Sequence, residues 1–241
     1  MTLRRLIRRT FARSASSGVA MPGPIHRKLA ANMEILGNAL GQSRTFDGGR
    51  PVDADGQPIP WFTYPAIEYL TRFDMRGWAV FEYGSGQSTA WWSRRGANVV
   101  SVEHDAGWHA EMQARALPGT TLLHRDQREA YVGTLAGTGA SFDVVVIDGV
   151  FREHCAAVAG GALKPGGMLI LDNSDWYHEA ASMIRAQGFH EASFSGFGPV
   201  NDYTWSTSVF FPGALASQQQ LAPPEPIGGN PIGPGARGPC W

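Results

Sequence analysis

The stretch VFEYGSGQSTAWWSRRGANVVSVEHD, residues 80–105, decides the fold. An apolar run carries the acid Glu82, two glycines one residue apart follow it, and a short helical pattern ends at Gly96. A second apolar run then ends in Glu103. A strand, a glycine-rich turn, a helix and a second strand in this order are typical of a parallel sheet with helices on its faces.

The same alternation continues on both sides of this stretch. A helical pattern, PAIEYLTRF, precedes it, and three apolar runs follow it, TTLLHRD, FDVVVIDG and MLILDN, each with a helical pattern after it. The last two runs, HEASFSGFG and YTWSTSVFF, are joined by a link too short for a crossover helix, so one of them must run antiparallel. The pattern predicts an α/β fold: a doubly wound, Rossmann-like, mostly parallel seven-stranded sheet with an antiparallel last strand.

Length and composition bound the class of protein. The chain has 241 residues, of which 43% are hydrophobic, and this is enough for one core. Its formal net charge of −1 provides no basic field, so we expect no nucleic-acid partner. Two cysteines are too few for a disulfide framework, and no apolar run is long enough to span a membrane, which together favour a cytoplasmic protein. The sequence does not indicate an oligomeric state.

The two ends of the chain differ in composition from the middle. No Asp or Glu occurs in the first 33 residues, and MTLRRLIRRTFARSASS is rich in Arg and Ser. This is the composition of a transit peptide, of a solvated terminus, or of a basic arm that contacts an anionic membrane surface weakly. The last residues are rich in Pro and Gly. We therefore expect a basic, partly disordered arm and helix at 1–58, the folded domain at 59–212 and a flexible tail at 213–241.

The glycine turn and the acid that ends the second strand indicate a nucleoside-bearing cofactor. In open α/β sheets, ligands bind beyond the carboxyl ends of the strands, where Gly84 and Gly86 let the backbone approach a ligand closely. Glu103 is placed to accept hydrogen bonds from the two hydroxyls of a ribose. Thr89 stands where a dinucleotide fingerprint has its third glycine, and Glu82 suits an ammonium group better than a pyrophosphate.

The pattern E-x-G-x-G-x-S followed by SVEHD resembles motif I and the second-strand acid of class I S-adenosylmethionine-dependent methyltransferases. The resemblance extends from about Pro60 to Phe211 and includes LKPGGMLILDN and the final antiparallel strand. It implies a methyltransferase domain with S-adenosylmethionine as its cofactor. It assigns the cofactor contacts to Glu82, Gly84, Ser85, Gly86, Ser88, Glu103, His104, Asp126 and Asp148, the last of these nearest to the transferred methyl group.

Two arrangements for the methyl-transfer step are open. In the first, Asp148, Asp172 and Asn173 hold Mg²⁺, which lowers the pKa of an acceptor hydroxyl. An acid ending the fourth strand and DN ending the fifth resemble the metal site of catechol-type O-methyltransferases, although DGVFREHC lacks the lysine that this family places nearby. In the second arrangement no metal is bound. The base is then Asp148 or a histidine, of which His178 is the best candidate, and Arg152 binds an anionic substrate group.

A narrower resemblance concerns the acceptor. PWFTYPAIEYL, FEYGSGQSTAWW, SVEHDAGW, VVVIDGVFREHC and ILDNSDW together resemble a group of bacterial methyltransferase-like proteins connected with glycan or secondary-metabolite pathways. The GSG-x-ST and SVEHD segments also resemble those of plant enzymes that methylate glucuronic acid on xylan. This implies an O-methyltransferase that acts on a small-molecule or glycan hydroxyl. Trp61 and Tyr64, or Tyr203 and Trp205, are candidates for the walls of the acceptor pocket, with core packing as the alternative for the first pair.

Two other functions stay open. A nicotinamide-dependent oxidoreductase of Rossmann type would share the sheet and the glycine turn, although Thr89 is evidence against it. A non-catalytic cofactor-binding or assembly protein would share every cofactor residue, and its Arg-rich N-terminus would dock to a membrane or to a partner. Cofactor titration distinguishes the first alternative, and turnover distinguishes the second.

Overall fold

A computed structural model describes residues 23–213, so the predicted tail beyond Gly213 and the first 22 residues of the predicted arm lie outside the described residues. The helices are α1 (Gly23–Glu34), which continues into a π-helical turn (Ile35–Ala39), α2 (Gln42–Gly48), α3 (Tyr64–Leu70), α4 (Gln87–Arg94), α5 (Ala106–Ala114), α6 (Arg128–Gly137), α7 (Arg152–Ala159) and α8 (His178–Ala186). The strands are β1 (Ala79–Tyr83), β2 (Asn98–Glu103), β3 (Thr120–His124), β4 (Phe142–Ile147), β5 (Leu163–Leu171), β6 (Phe189–Gly196) and β7 (Trp205–Pro212). None of the helices between residues 23 and 213 combines the length and the apolar character needed to cross a lipid bilayer.

All seven strands form one sheet in the order β3-β2-β1-β4-β5-β7-β6. Strands β1 to β5 pair in parallel, and β7 runs antiparallel to both β5 and β6. The link from Gly196 to Trp205 contains no helix, which is why β6 and β7 cannot be parallel neighbours. The predicted fold class, a mostly parallel seven-stranded sheet with an antiparallel last strand, is confirmed.

The central strands are buried on both faces, which explains why their sequences are apolar without alternation. In β4, Val145 and Ile147 belong to the apolar cluster on one side of the sheet, and Val144 and Val146 belong to the cluster on the other side. Helices α6, α7 and α8 cover the first side, and α3 and α4 cover the second. The sheet is therefore doubly wound, as the sequence predicts.

The fifth strand begins earlier than the sequence predicts. The pattern indicates KPGG as the turn before this strand, but Leu163 already pairs with Phe142. The register then shifts, and the next pair joins Val144 to Met168, so that residues 164–167 form a bulge within the strand. Gly166 accommodates the bulge, because its φ of +79° is costly for a residue with a side chain.

Residues 41–60 pack on the domain although they precede its first strand. Gln42 and Thr45 in α2 are buried. The Gln42 side chain donates a hydrogen bond to the carbonyl of Gly198 at 2.8 Å, and the Thr45 hydroxyl accepts one from the amide of Val200 at 2.8 Å. These contacts tie α2 to the link between β6 and β7. The predicted division of the chain into arm, domain and tail stays a prediction.

Candidate functional site

Four acids lie at or near the carboxyl ends of neighbouring parallel strands. Glu82 is the fourth residue of β1, Glu103 ends β2, and Asp148 and Asp172 directly follow β4 and β5. Because β2, β1, β4 and β5 are adjacent and parallel, these acids lie near one another at the carboxyl-terminal end of the sheet. The structure therefore brings four of the five predicted acids to the same end of the sheet, whereas Asp126 is exposed after β3.

The turn after β1 approaches the end of β4 closely. Gly84 has a φ of +99°, and a Cβ on it would lie 3.1 Å from the Cα of Gly149. A Cβ on Gly149 would lie 2.1 Å from the Tyr131 hydroxyl and 2.9 Å from the amide nitrogen of Gly84. Both positions therefore need glycine. Gly149 is absent from the predicted site residues, although the Asp-Gly pair after the fourth strand is a signal that could have identified it.

The Glu103 carboxylate joins the end of β2 to the glycine turn. One of its oxygens accepts hydrogen bonds from the amide of Ser85 at 3.1 Å and from the hydroxyl of Ser85 at 2.9 Å. The other accepts from the amides of His104 at 2.8 Å and Asp105 at 3.0 Å, and it lies 2.9 Å from Nδ1 of His104. Glu103 is thus a buried acceptor in a fixed position at this junction, with His104 half-buried beside it.

Glu82 is a buried carboxyl group with one oxygen available. Oε1 accepts a hydrogen bond from the Trp92 indole at 2.9 Å, whereas Oε2 has no hydrogen-bond partner among residues 23–213. Burial raises the pKa of Glu82 to about 7, and the charge of Asp148 adds to the shift. The hydroxyls of Thr89 and Ser88 lie close enough to oppose the shift, although neither meets the geometry of a hydrogen bond to Oε2. An unpartnered buried acceptor is costly, so this oxygen fits a donor supplied by a ligand, and a cationic donor fits best.

Arg152 occupies the position between the ends of β4 and β5. Its Nε donates to the carbonyl of Gly149 at 2.9 Å. Nη1 donates to the carbonyl of Asp172 at 2.5 Å and to Oδ1 of Asn173 at 3.0 Å. Nη2 donates to the carbonyl of Asp148 at 3.2 Å and to its carboxylate at 3.0 Å. A guanidinium has five N–H groups, so these five hydrogen bonds use its full donor capacity within the protein.

The predicted metal ligands are engaged with protein groups. Asp148 and Asn173 accept hydrogen bonds from Arg152, whereas Oδ1 of Asp172 accepts from the Trp205 indole at 3.1 Å and from the Thr207 hydroxyl at 2.5 Å. Burial raises the pKa of both aspartates, and Arg152 opposes the shift. No group of three or more His, Cys, Asp or Glu side chains within residues 23–213 could hold a metal ion. The hypothesis of bound Mg²⁺ gains no support from this arrangement.

Four further predicted residues have less defined surroundings. Gly86 precedes α4, and its amide donates to the hydroxyl of Thr89 at 3.0 Å. Ser88 is half-buried in the first turn of α4. Asp126 is exposed between β3 and α6, and His178 is exposed at the first residue of α8. The roles predicted for these residues stay predictions.

Aromatic side chains border the ends of β5 and β7. The ring of Tyr203 lies 6.0 Å from that of Trp176 and 6.0 Å from that of Trp205, between centroids. The Trp176 indole nitrogen is buried and has no hydrogen-bond partner within the described part of the chain. Tyr203 is half-buried, whereas Trp205 is buried, and so is Tyr64, which belongs to the apolar core. Tyr203 and Trp176 are therefore better placed than Tyr64 to form the wall of a pocket.

The segment at 41–60 contacts the glycine turn as well as the link between β6 and β7. The Gln87 side chain at the start of α4 donates to the carbonyl of Pro51 at 3.3 Å and accepts from Arg115 at 2.5 Å. Arg50 pairs with Glu111 on α5 at 2.6 Å. No local sequence pattern indicates these pairs, because they join segments that are far apart in the chain.

A groove of about 400 Å³ lies elsewhere on the molecule, between the end of β3 and α6. Leu123, Arg125, Ala130 and Thr134 contribute to its lining, and no predicted site residue does. The groove is therefore separate from the cluster of acids.

Comparisons with known proteins give similarity in structure only. No family model and no curated protein matches the sequence. A methyltransferase from Pyrococcus furiosus is 16% identical, with a TM-score of 0.48 over 80% of this chain and 100% of that chain. The precorrin-6y C5,15-methyltransferase from Geobacter metallireducens GS-15 is 13% identical, with a TM-score of 0.48 over 67% of this chain and 97% of that one. A SAM-dependent O-methyltransferase from Thermotoga maritima is 14% identical, with a TM-score of 0.46 over 65% and 68%. At these values the similarities carry no argument about the site.

Proposed function

We propose that this chain is an S-adenosylmethionine-dependent methyltransferase that acts on a hydroxyl group of a small molecule or glycan. The observation that carries the proposal is the unpartnered, buried oxygen of Glu82 beside the glycine turn, one strand away from Glu103. An ammonium group would supply the donor that Glu82 lacks, and ribose hydroxyls would replace the Ser85 hydroxyl as donors to Glu103. S-adenosylmethionine carries both groups. The sheet with an antiparallel β7 supports the proposal, because the sequence resemblance implies this sheet.

The proposed cofactor contacts follow the strand ends. Glu82 would hold the ammonium group, and Glu103 would accept hydrogen bonds from the ribose hydroxyls, with His104 beside the adenine. Gly86, where an added Cβ would meet no atom within 4 Å, leaves the backbone open to a close approach, whereas Gly84 and Gly149 pack against each other. The remaining contacts are assigned to Ser85, Gly86, Ser88 and Asp126.

The chain would contribute mainly orientation and proton transfer. Bound S-adenosylmethionine supplies a methyl group on a sulfonium, which is already a good electrophile. The protein must therefore position the acceptor and accept its proton. Asp148 fits this role because burial raises its pKa to about 6, and because Arg152 holds its carboxylate at 3.0 Å. His178 is the other candidate for the base.

We propose that the transfer needs no divalent cation between β4 and β5. Arg152 already places a positive charge against Asp148 and Asn173, two of the three predicted ligands. For the same reason Arg152 acts as a positioning residue for Asp148, since its five hydrogen bonds to the protein compete with any anionic substrate group. This replaces the role that the sequence suggested for it.

The oxidoreductase alternative fits the site less well. A pyrophosphate at the glycine turn would lie near the acids Glu82 and Asp148, which would repel it. The amide of Gly86 donates to the hydroxyl of Thr89 at 3.0 Å, so this amide is also engaged with the protein.

Calorimetric titration of S-adenosylhomocysteine into the full chain tests the cofactor. We expect micromolar affinity, and a weakening of about 10- to 100-fold in Glu82→Gln and in Glu103→Ala, because each change removes a hydrogen bond to a charged group. Glu129→Gln is the matched control, since Glu129 is exposed on α6 and pairs with Arg128. Absence of binding by folded wild-type protein would contradict the proposal, and binding of NADH in its place would favour the oxidoreductase.

Turnover separates an enzyme from a binding protein. Methyl transfer from labelled S-adenosylmethionine is measured with phenols, sugars and uronic acids as acceptors. Labelling of a hydroxyl that is lost in Asp148→Asn supports the proposed chemistry. Tight cofactor binding without labelling of any acceptor in a broad panel would favour the non-catalytic alternative.

A further inference from the structure

The described side chains of helix α1 are all exposed to solvent. None of its side chains that the structure describes is buried, and those of Ile25, Leu29 and Met33 are 51%, 49% and 41% exposed. Helices of this length usually owe their stability to the packing of an apolar face. An apolar face that is left in solvent therefore marks a surface for contact with something outside this fold.

The three apolar residues form one stripe. Their spacing of four residues places Ile25, Leu29 and Met33 above one another on the same face of the helix. The helix is anchored at its other end, because Leu36 and Leu40 in and after the π-helical turn pack against the core of the domain. The stripe is thus held on the domain without being part of its core.

The charge of the segment identifies the surface that it fits. The first 33 residues contain no Asp or Glu and seven basic residues, Arg4, Arg5, Arg8, Arg9, Arg13, Arg27 and Lys28. The rest of the chain holds 13 Arg and Lys against 21 Asp and Glu. Stacking the helices of two copies would bring like charges together, which is unfavourable. A surface that is both apolar and anionic matches the stripe and its charge.

We propose that α1 docks on an anionic lipid surface. The stripe of Ile25, Leu29 and Met33 enters the boundary between headgroups and acyl chains, and Arg27 and Lys28 of the same helix lie against the anionic headgroups. The five arginines within residues 4–13 add positive charge to the chain, which strengthens its attraction to such a surface. The helix lies in the plane of the interface, since its 12 residues are too few to span a bilayer. This proposal is independent of the proposed methyl transfer.

Vesicle sedimentation of the full chain tests the docking. Phosphatidylcholine vesicles with about 30% phosphatidylserine are compared with pure phosphatidylcholine, at low and high salt. We expect the chain to bind the anionic vesicles at low salt. Binding should be at least about tenfold weaker with the neutral vesicles, and also with the anionic vesicles at high salt. Equal binding to both kinds of vesicle would overturn the electrostatic part of the proposal.

Variants separate the stripe from the charge. We expect the triple variant Ile25→Ser, Leu29→Ser, Met33→Ser to bind anionic vesicles at least about tenfold less, because it removes the apolar contact. The matched control is Val158→Ser with Met183→Ser, two exposed apolar side chains on α7 and α8. Arg27→Gln with Lys28→Gln should weaken binding and reduce its salt dependence.

Three outcomes would overturn the proposal. The stripe variant could bind vesicles as wild type does, in which case charge alone is responsible. The wild-type chain could fail to bind vesicles at all. It could also form a dimer that the stripe variant dissolves, as judged by gel filtration, and then a second copy covers the stripe. Titration of S-adenosylhomocysteine into the same variants shows whether the cofactor site is intact, so a failure here is distinguishable from a failure of the proposed function.

Discussion

Arg152 and Asp148 are joined twice, by hydrogen bonds from one guanidinium nitrogen to the backbone carbonyl at 3.2 Å and to the carboxylate at 3.0 Å. Arg152 is the first residue of α7, and Asp148 directly follows β4. The same guanidinium reaches the end of β5 through the carbonyl of Asp172. The Arg152 guanidinium thus fixes the position of Asp148, the proposed base, relative to the ends of β4 and β5.

Replacing Arg152 by Met should destabilise the fold strongly. The change leaves the Asp148 carboxylate and three backbone carbonyls without this donor in a buried region. Removing one partner of a buried ion pair costs about 3–5 kcal/mol. Urea unfolding of Arg152→Met against wild type measures the loss, at constant pH.

Arg128→Met is the control for this experiment. Arg128 pairs with Glu129 on the exposed face of α6, where solvent screens the ion pair and its contribution to stability is small. If the two variants lose the same free energy of unfolding, Arg152 does not hold the site together. Arg152→Lys should recover only part of the stability, because a lysine cannot reach both strand ends with a planar fork.

Gly149→Ala should disturb the glycine turn. The new Cβ would meet the Tyr131 hydroxyl at 2.1 Å and the amide nitrogen of Gly84 at 2.9 Å, so the turn must move. We expect a loss of about 1–3 kcal/mol in the free energy of unfolding and weaker binding of S-adenosylhomocysteine. Gly133→Ala, on α6 with no atom within 4 Å of its new Cβ, should instead be neutral or stabilising by up to about 1 kcal/mol.

A second substitution locates the clash. Tyr131→Phe removes the nearest atom, and the Tyr131 hydroxyl has no hydrogen-bond partner among the described residues. The double variant Gly149→Ala with Tyr131→Phe should therefore regain part of the stability that Gly149→Ala loses. It should not regain all of it, because the contact with Gly84 persists. Identical stability of the single and double variants would mean that the backbone contact alone determines the cost.

Stability should depend on pH through Glu82. Its pKa is raised from an ordinary value of 4.5 to about 7 by burial, so the folded state holds a proton that the unfolded state has released. The stabilisation that this proton gives to the folded state is fully present below pH 4.5 and is lost as the pH rises through 7. Between pH 5.5 and 8.5 wild type should lose about 2 kcal/mol more than Glu82→Gln. Equal slopes in the two proteins would show that Glu82 is ionised throughout.

Magnesium should not change the thermal stability of the protein. The ligands predicted for it are engaged by Arg152, Trp205 and Thr207. We expect millimolar Mg²⁺ or EDTA to shift the thermal midpoint by less than about 1 °C, whereas a site near saturation would shift it by several degrees. A stabilisation by Mg²⁺ that is lost in Asn173→Ala would place a cation at the end of β5 and contradict this expectation.

A strand is predicted best where its sequence pattern has only one structural interpretation. The run FDVVVIDG is apolar because β4 is covered on both faces, so its pattern has one interpretation. The start of β5 was wrong because a bulge at residues 164–167 contains Pro and Gly, which are also typical of a turn. Local sequence cannot distinguish the two.

The positions of the candidate residues at the strand ends could be predicted, but their hydrogen-bond partners could not, and their roles stay predictions. Glu82, Glu103 and Asp148 could be located because they lie at the ends of recognisable strands. The role of Arg152 depends on acceptors at Gly149, Asp172 and Asn173, and the distances to two of these are set by packing between β4 and β5. Gly149 was missed for a related reason, since its need for glycine comes from Tyr131 on another element.

The segment at residues 41–60 has a consequence for how this fold can diversify. It contacts the glycine turn through Pro51 and the link between β6 and β7 through Gln42, yet it contributes no strand to the sheet. Changes of length or sequence there can reshape the surroundings of the acids without altering the register of any strand. Homologous chains with a different segment here would therefore present a different surface beside the same strand-end acids.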